Sequence, residues 1–161
     1  MGFLKNLFSD PELEIGAPVA GQVVPLTEVN DPTFHDEILG KGIAVRPSAN
    51  QIVAPCDAKV DLMFDTGHAV SLVADCGAEV LIHVGLNTVQ LQGKHFTVHS
   101  KNGDHVTAGQ LLIEFDREAI AAEGYDVITP VIICNTDKYD KIKTYTEKTV
   151  AAGETVIGLV E

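Results

Sequence analysis

Basic side chains are scarce in this sequence: eleven lysines and arginines stand against 23 acidic residues, a formal charge of −12. Such a surface repels nucleic acid and anionic lipid and attracts a basic protein partner, so nucleic-acid binding is excluded early. Long apolar runs are missing as well. None reaches a bilayer span, and no stretch has the charged, apolar and small-residue layout of a secretory signal, so a cytoplasmic protein is expected. Cysteine is sparse: Cys56, Cys76 and Cys134 are odd in number and widely spaced, which suits neither a disulfide framework nor a zinc knuckle. They read as buried free thiols. What is plentiful is apolar material, 45% of 161 residues, enough for one domain with a sizeable core and too little for two.

Residues 1–14, MGFLKNLFSDPELE, differ from the rest. Phe3, Leu4, Leu7 and Phe8 fall at helical spacing before Ser9, Asp10 and Pro11 break the pattern. A frayed terminus is the plainer reading, and an amphipathic contact of residues 1–8 with a membrane or partner the sharper one. The domain proper is set at 15–161. Its signal is short strands among frequent Gly, Pro, Asn and Asp, with alternation such as Val60, Leu62 and Phe64 against Asp61, Met63 and Asp65. Helical patterns are confined to 31–39, 117–123 and 137–143. The chain also repeats itself: "IGAPVAGQVVPL" from Ile15 aligns with "IVAPCDAKVDLM" from Ile52, and "VTAGQLLIEF" from Val106 with "VAAGETVIGL" from Val150. The expected fold is all-β, an antiparallel sandwich or barrel with internal pseudo-duplication and a few short helices.

One hairpin concentrates the chemistry. In "HAVSLVADCGAEVLIHVG", His68 to Gly85, two alternating runs flank a turn in which Gly77 permits a positive φ. Centring the loop between Cys76 and Gly77 places His68 opposite Gly85 and His83 opposite Val70. The two histidines then share a face with Val70, Leu72 and Leu81, their Cβ atoms about 7–8 Å apart as diagonal neighbours. A one-residue slip would send them to opposite faces. Gly85 is expected to leave an open spot beside the rings. Desolvation and mutual repulsion would keep both imidazoles neutral and nucleophilic, and Thr66 is placed to orient His68 through its hydroxyl.

Alternatives accompany this reading. A histidine in an apolar strand is ordinarily a satisfied core residue. A zinc hydrolase would need a third ligand and a base from His95, His99, Asp104 or His105, which lack the HExxH or HxH spacing. A lipoyl or biotinyl carrier would present a lysine at a hairpin tip, whereas Lys138 follows Asp137 in a helix-like context. A non-catalytic binding or regulatory module using the histidine face is the reading from a different class.

The segment "GAEVLIHVGLNTV", Gly77 to Val89, is similar over its full length to the phosphorylation-site signature of the glucose-type enzyme IIA domains of the bacterial phosphoenolpyruvate-dependent sugar phosphotransferase system. "TGHAVSL" resembles the second-histidine segment, "APVAGQVVPL" the first strand unit and "TPVIICNTD" a later strand that closes on the site. The resemblance runs from about Ile15 to Glu161 and implies an antiparallel β-sandwich. It implies that His83 accepts phosphate from the phosphocarrier protein HPr, as a tele-phosphohistidine, and passes it to a sugar-specific IIB or IIBC permease. His68 would hold the phosphoryl group with Thr66 orienting it, and no cofactor or metal would be required. Asp31 and Asp137 match acidic positions bordering the site; Phe34, Ile38, Leu39, Phe64 and Val89 match the apolar docking surface. Asn87 and Gln90 depart from the acids many members carry, leaving the rim less charged for a basic partner. Met1 suits a free-standing protein, and a domain cut from a larger permease polypeptide is the other expectation.

Overall fold

The computed structural model describes residues 12–161, so the expected contact through residues 1–8 lies outside the described residues. The strands are β1 Glu12–Gly16, β2 Gly21–Pro25, β3 Lys41–Pro47, β4 Gln51–Val53, β5 Ala58–Met63, β6 Ala69–Ala74 and β7 Glu79–His83. They continue with β8 Phe96–Val98, β9 His105–Val106, β10 Leu111–Phe115, β11 Thr129–Ile133, β12 Lys141–Thr144, β13 Lys148–Val150 and β14 Thr155–Val160. An eight-stranded sheet runs β13-β2-β3-β11-β7-β6-β5-β9, beside three-stranded sheets β1-β14-β12 and β4-β10-β8. Every pairing described is antiparallel. Side chains from all three sheets, among them Ile15, Leu72, Ile82, Leu112 and Ile157, meet in one buried cluster. The fold is the antiparallel β-sandwich that the alternation predicts.

The internal repeat is structural. The shift that carries Ile15 onto Ile52 carries β1 and β2 onto β4 and β5; the shift from Val106 to Val150 carries β9 and β10 onto β13 and β14. Pairing follows suit, β1 with β14 and β2 with β13 in one half, β4 with β10 and β5 with β9 in the other. The turns repeat too. Ala17 N–H donates to Glu154 O at 2.7 Å as Ala54 N–H does to Gln110 O at 2.8 Å. The two copies clasp each other through Gly16 N–H to Pro55 O (2.9 Å) and Val53 N–H to Pro18 O (2.8 Å).

Helices are shorter than the sequence pattern predicts. Within 31–39 only Pro32–His35 (α1) is helical: Asp31 caps it by accepting from Thr33 N–H at 3.0 Å, Pro32 opens the first turn, and Glu37, at φ 57°, ends the helical path. Arg117–Ala122 (α2) is capped by Asp116 and matches its predicted stretch. The stretch 137–143 is not a helix. It contains a 3₁₀ turn, Thr136–Lys138, and then β12, where half-buried Ile142 alternates with exposed Lys141 and Lys143 along β14. Ladder hydrogen bonds to β14 outcompete a local helix here. At the other end, β1 begins at Glu12, three residues before the boundary drawn from composition.

Along β7, Val80 and Ile82 point into the main core, as does Val84 just beyond, each fully buried and worth on the order of 2 kcal/mol. Leu81 and His83 take the opposite face. That outer face is covered by a second, smaller cluster in which Val24, Phe34, Leu86 and Ile132 are buried and against which Leu81 packs. His83 therefore stands at the edge of this second core, not in the first.

Candidate functional site

The turn between β6 and β7 sets the register. Gly77 N–H donates to Ala74 O and Ala74 N–H to Ala78 O, both at 2.8 Å, enclosing the three residues Asp75, Cys76 and Gly77, with Gly77 at φ 94°. A three-residue loop closing on a left-handed glycine pairs Ala69 with His83 and Val70 with Ile82, one residue away from the predicted register. His83 faces Ala69, not Val70. Val70 and Leu72 belong to the main core, so the single histidine face with Val70, Leu72 and Leu81 does not exist. By strict alternation this register parts the histidines, yet their ring centroids are 5.1 Å apart, at 79° to each other.

One local departure from the pleat brings them together, and a second places Phe64 beside them. His68 precedes β6, in a bend after Gly67, whose φ of 70° turns the chain off the strand path. A Cβ on Gly67 would meet Phe96 Cβ at 2.9 Å, so the bend lies close against β8. The bend is tied to β7 by Val84 N–H donating to His68 O at 2.7 Å. The second departure is a bulge in β5 between Val60 and Leu62, where pairing slips from Leu72 to Ser71. Consequently Val60 and Met63 are buried and Leu62 is exposed, contrary to the uninterrupted alternation read from the sequence. Phe64 lies against the His68 ring, centroid to centroid 5.2 Å.

Rings then follow one another in space. Phe64 touches His68, His68 touches His83, and Phe34 of α1 lies 5.2 Å from His83. His68 is buried and His83 half-buried. Burial holds the His68 pKa down at about 4, with the neighbouring His83 as the second cause. Burial also lowers His83, opposed by its hydrogen bond to Gly85 O and by the charge of Asp31. Both rings are neutral at pH 7. A neutral imidazole has one N–H, and His83 Nδ1 faces the Gly85 carbonyl at 2.7 Å, an acceptor only; the proton is therefore on Nδ1, and Nε2 carries a free lone pair. Thr66 Oγ1 meets His68 Nδ1 at 2.5 Å.

Gly85 does not leave the open spot expected of it. Its φ is 78°, and a Cβ would meet Thr88 Cγ2 at 2.6 Å and Asp126 O at 2.8 Å. The residue is a glycine because the chain turns back there, its N–H donating to Ile128 O, so that its own carbonyl reaches His83. Thr88, fully buried, donates to Val84 O and braces the same turn. Sequence reasoning missed both roles; the dipeptide spacing from His83 to Gly85 was the available signal.

Of the apolar residues expected at a docking surface, Ile38, Leu39 and Val89 are exposed, at 68%, 39% and 47%. Phe34 is not: its side chain is 4% exposed, locked in the second core, so it backs the site and offers little surface. Asp137 lines a surface depression with Ile38, Leu39 and Thr136. Asn87 is exposed at φ 60°, in the left-handed conformation that asparagine and aspartate tolerate best. The histidines considered for zinc are scattered: His95 pairs with Glu123, His99 with Glu114 at 2.6 Å and His105 with Asp75 at 3.2 Å, while Asp104 accepts from Lys101 N–H. Among the described residues no group of three or more His, Cys, Asp or Glu is arranged to hold a metal ion. Also among them, no helix is long and apolar enough to cross a membrane. The cysteines are free, but Cys134 is exposed and the other two half-buried, where burial of all three was expected.

The sequence matches, over residues 13–139, the family described as phosphoenolpyruvate-dependent sugar phosphotransferase system, EIIA 1. The chain belongs to this family. As an EIIA protein it is a phosphotransferase component, a phosphocarrier of sugar transport. It is 42% identical over 158 residues to the glucose-specific EIIA component of Oceanobacillus iheyensis, covering 95% of this chain and 96% of that protein. It is 49% identical over 125 residues to the beta-glucoside-specific EIIBCA component of Bacillus subtilis; the match takes in 78% of this chain and only 20% of that longer protein. Among solved structures, glucose permease IIA from Mycoplasma capricolum superposes with a TM-score of 0.86 at 30% identity, over 92% of this EIIA chain and 96% of that one.

Proposed function

We propose that His83 is the phosphoryl acceptor of this phosphocarrier, through Nε2, and that His68 stabilises the group in transit. The observation that carries the assignment is the hydrogen bond from His83 Nδ1–H to Gly85 O, which leaves Nε2 unprotonated beside a second neutral imidazole. In transfer from a donor phosphohistidine, His83 Nε2 attacks phosphorus, the donor P–N bond breaks, and its electron pair returns to the donor ring. No proton leaves His83, because Nδ1–H remains on the Gly85 carbonyl. A loose phosphoryl transition state asks for alignment and charge stabilisation. His68 supplies the latter by donating Nε2–H, which requires the Thr66 hydroxyl to donate to His68 Nδ1. The flanking Phe64 and Phe34 limit access of water to the phosphohistidine.

The donor in this reading is HPr and the recipient a IIB domain, separate or within a IIBC permease; the EIIBCA relatives carry all three units in one name. The rim of Asp31, Ile38, Leu39, Phe64, Asn87, Val89 and Asp137 receives both partners, its acids favouring a basic donor. The sugar is chosen by the permease partner. Incubation with phosphoenolpyruvate and the donor relay, followed by mapping of acid-labile phosphate, tests the assignment: label is expected on His83 Nε2 and none on His83→Ala. Label that persists in His83→Ala overturns it.

A further inference from the structure

Cys56 and Cys76 lie at the end of the β6–β7 hairpin remote from the histidines, about 20 Å away at the rise of an extended strand. The β5–β6 ladder pairs Ala58 with Ala74, Lys59 with Val73 and Val60 with Leu72. Asp75 N–H extends that ladder by donating to Asp57 O at 2.9 Å. Cys56 precedes Asp57 and Cys76 follows Asp75, so the two cysteines flank this hydrogen bond on the side away from Ala58 and Ala74, Cys76 already in the turn. Opposed residues of antiparallel strands hold their Cα atoms about 4.5–5.5 Å apart and a disulfide bridges roughly 4.4–6.8 Å, so two cysteines flanking one backbone hydrogen bond between adjacent segments need little movement to be joined. Both side chains are half-buried and both pack against the main core. We propose that Cys56 and Cys76 form a reversible dithiol–disulfide pair, a peroxide-sensitive site that staples β5 to the base of the histidine hairpin.

The two thiols are not equivalent. Burial, and then the facing Cys76 and the carboxylates of Asp57 and Asp75, push the Cys56 thiol up to about 12. Cys56 is therefore the resolving partner. Cys76 sits in the turn, next to Gly77. The Cys76 thiolate attacks one oxygen of a peroxide: an S–O bond forms, the O–O bond breaks, and hydroxide leaves. The resulting sulfenic acid is uncharged, which removes the Cys76 contribution to the elevation at Cys56. Cys56 sulfur then attacks the sulfenic sulfur, the S–S bond forms, the S–O bond breaks, and the departing oxygen leaves as water with the Cys56 proton. Two thiols and one peroxide yield one disulfide and two waters.

The test is peptide mapping by mass spectrometry of the native chain after exposure to hydrogen peroxide at near-equal concentration. The expected product has lost two hydrogens, joins Cys56 to Cys76, and reverts with dithiothreitol. Its Tm should rise by roughly 5–10 °C, as expected for closing a loop of this length. Cys134→Ser should still form the bridge and Cys76→Ser should not. Sulfinic acid on Cys76 with Cys56 still free to alkylate, or a disulfide through Cys134 as the sole product, overturns the proposal.

Discussion

His83 donates its Nδ1–H to the carbonyl oxygen of Gly85, two residues on, at 2.7 Å. That bond determines which ring nitrogen is left to react, and it exists only because Gly85 adopts a φ closed to most side chains. A side chain's chemistry is here decided by a backbone turn.

Gly85→Ala should therefore be damaging out of proportion to one methyl group. Strain at φ 78° and contacts with Thr88 and the Asp126 carbonyl are expected to cost roughly 2–4 kcal/mol. Gly103 is the control: it has a similar φ of 89° and nothing within 4 Å of its would-be Cβ, so Gly103→Ala should cost only about 1 kcal/mol. Urea denaturation of the two variants measures the difference. Equal losses would mean the Thr88 and Asp126 contacts do not matter.

His68→Gln separates acceptance from delivery. Accepting phosphate needs a free Nε2 on His83, which this variant keeps. Passing it on needs a donor to stabilise the group as it leaves. Onward transfer is expected to fall about 10²–10³-fold, the usual effect of removing one aimed donor, while initial labelling persists. Single-turnover transfer to a IIB domain reads this out, and full-speed delivery would reject the role given to His68.

Acid should weaken the fold through the same two rings. Their pKa values are lowered in the folded state, His68 from 6.5 to about 4, so between those values the unfolded chain binds more protons than the folded one. Stability then rises with pH across this window, and on acidification it is lost progressively from about pH 6.5 down to about pH 4. Below that both states are protonated at His68, and its contribution to the slope ends. Tm measured against pH should fall less steeply for His68→Gln than for the native chain; parallel curves would contradict the shift.

Asn87→Asp tests the rim. Aspartate tolerates the left-handed backbone as asparagine does, so stability should change by less than about 0.5 kcal/mol. The added charge should speed docking of a basic donor several-fold at low salt and lose that advantage at high salt. Salt-dependent phosphorylation rates decide the matter. A gain that survived high salt would point to contact geometry instead of charge.

Much of this was legible in the sequence because it depends on local pattern. Gly77 between two alternating apolar runs marks the hairpin, and the Ala-Pro and Ala-Gly repeats mark a duplicated sandwich whose strand pairs repeat in space. The neutrality of the histidines was expected from Val70, Leu72 and Leu81 beside them, whereas the groups that lie against the rings are Phe34, Phe64 and the other imidazole. Register did not follow: "DCG" supports a two-residue or a three-residue loop, and the choice moves every pair by one.

By itself, then, the sequence determined an all-β chain with His68 and His83 at the same end of one hairpin, since alternation, turn residues and spacing act over a few positions. Only tertiary structure decided that the two rings meet. In the observed register regular strands would have parted them, and it is the bend at Gly67, closed onto Phe96, that swings His68 back toward His83. The bulge in β5 shifts the pairing along which Phe64 arrives beside His68. Such departures are set by packing between segments distant in the chain, where no local pattern of residues records them.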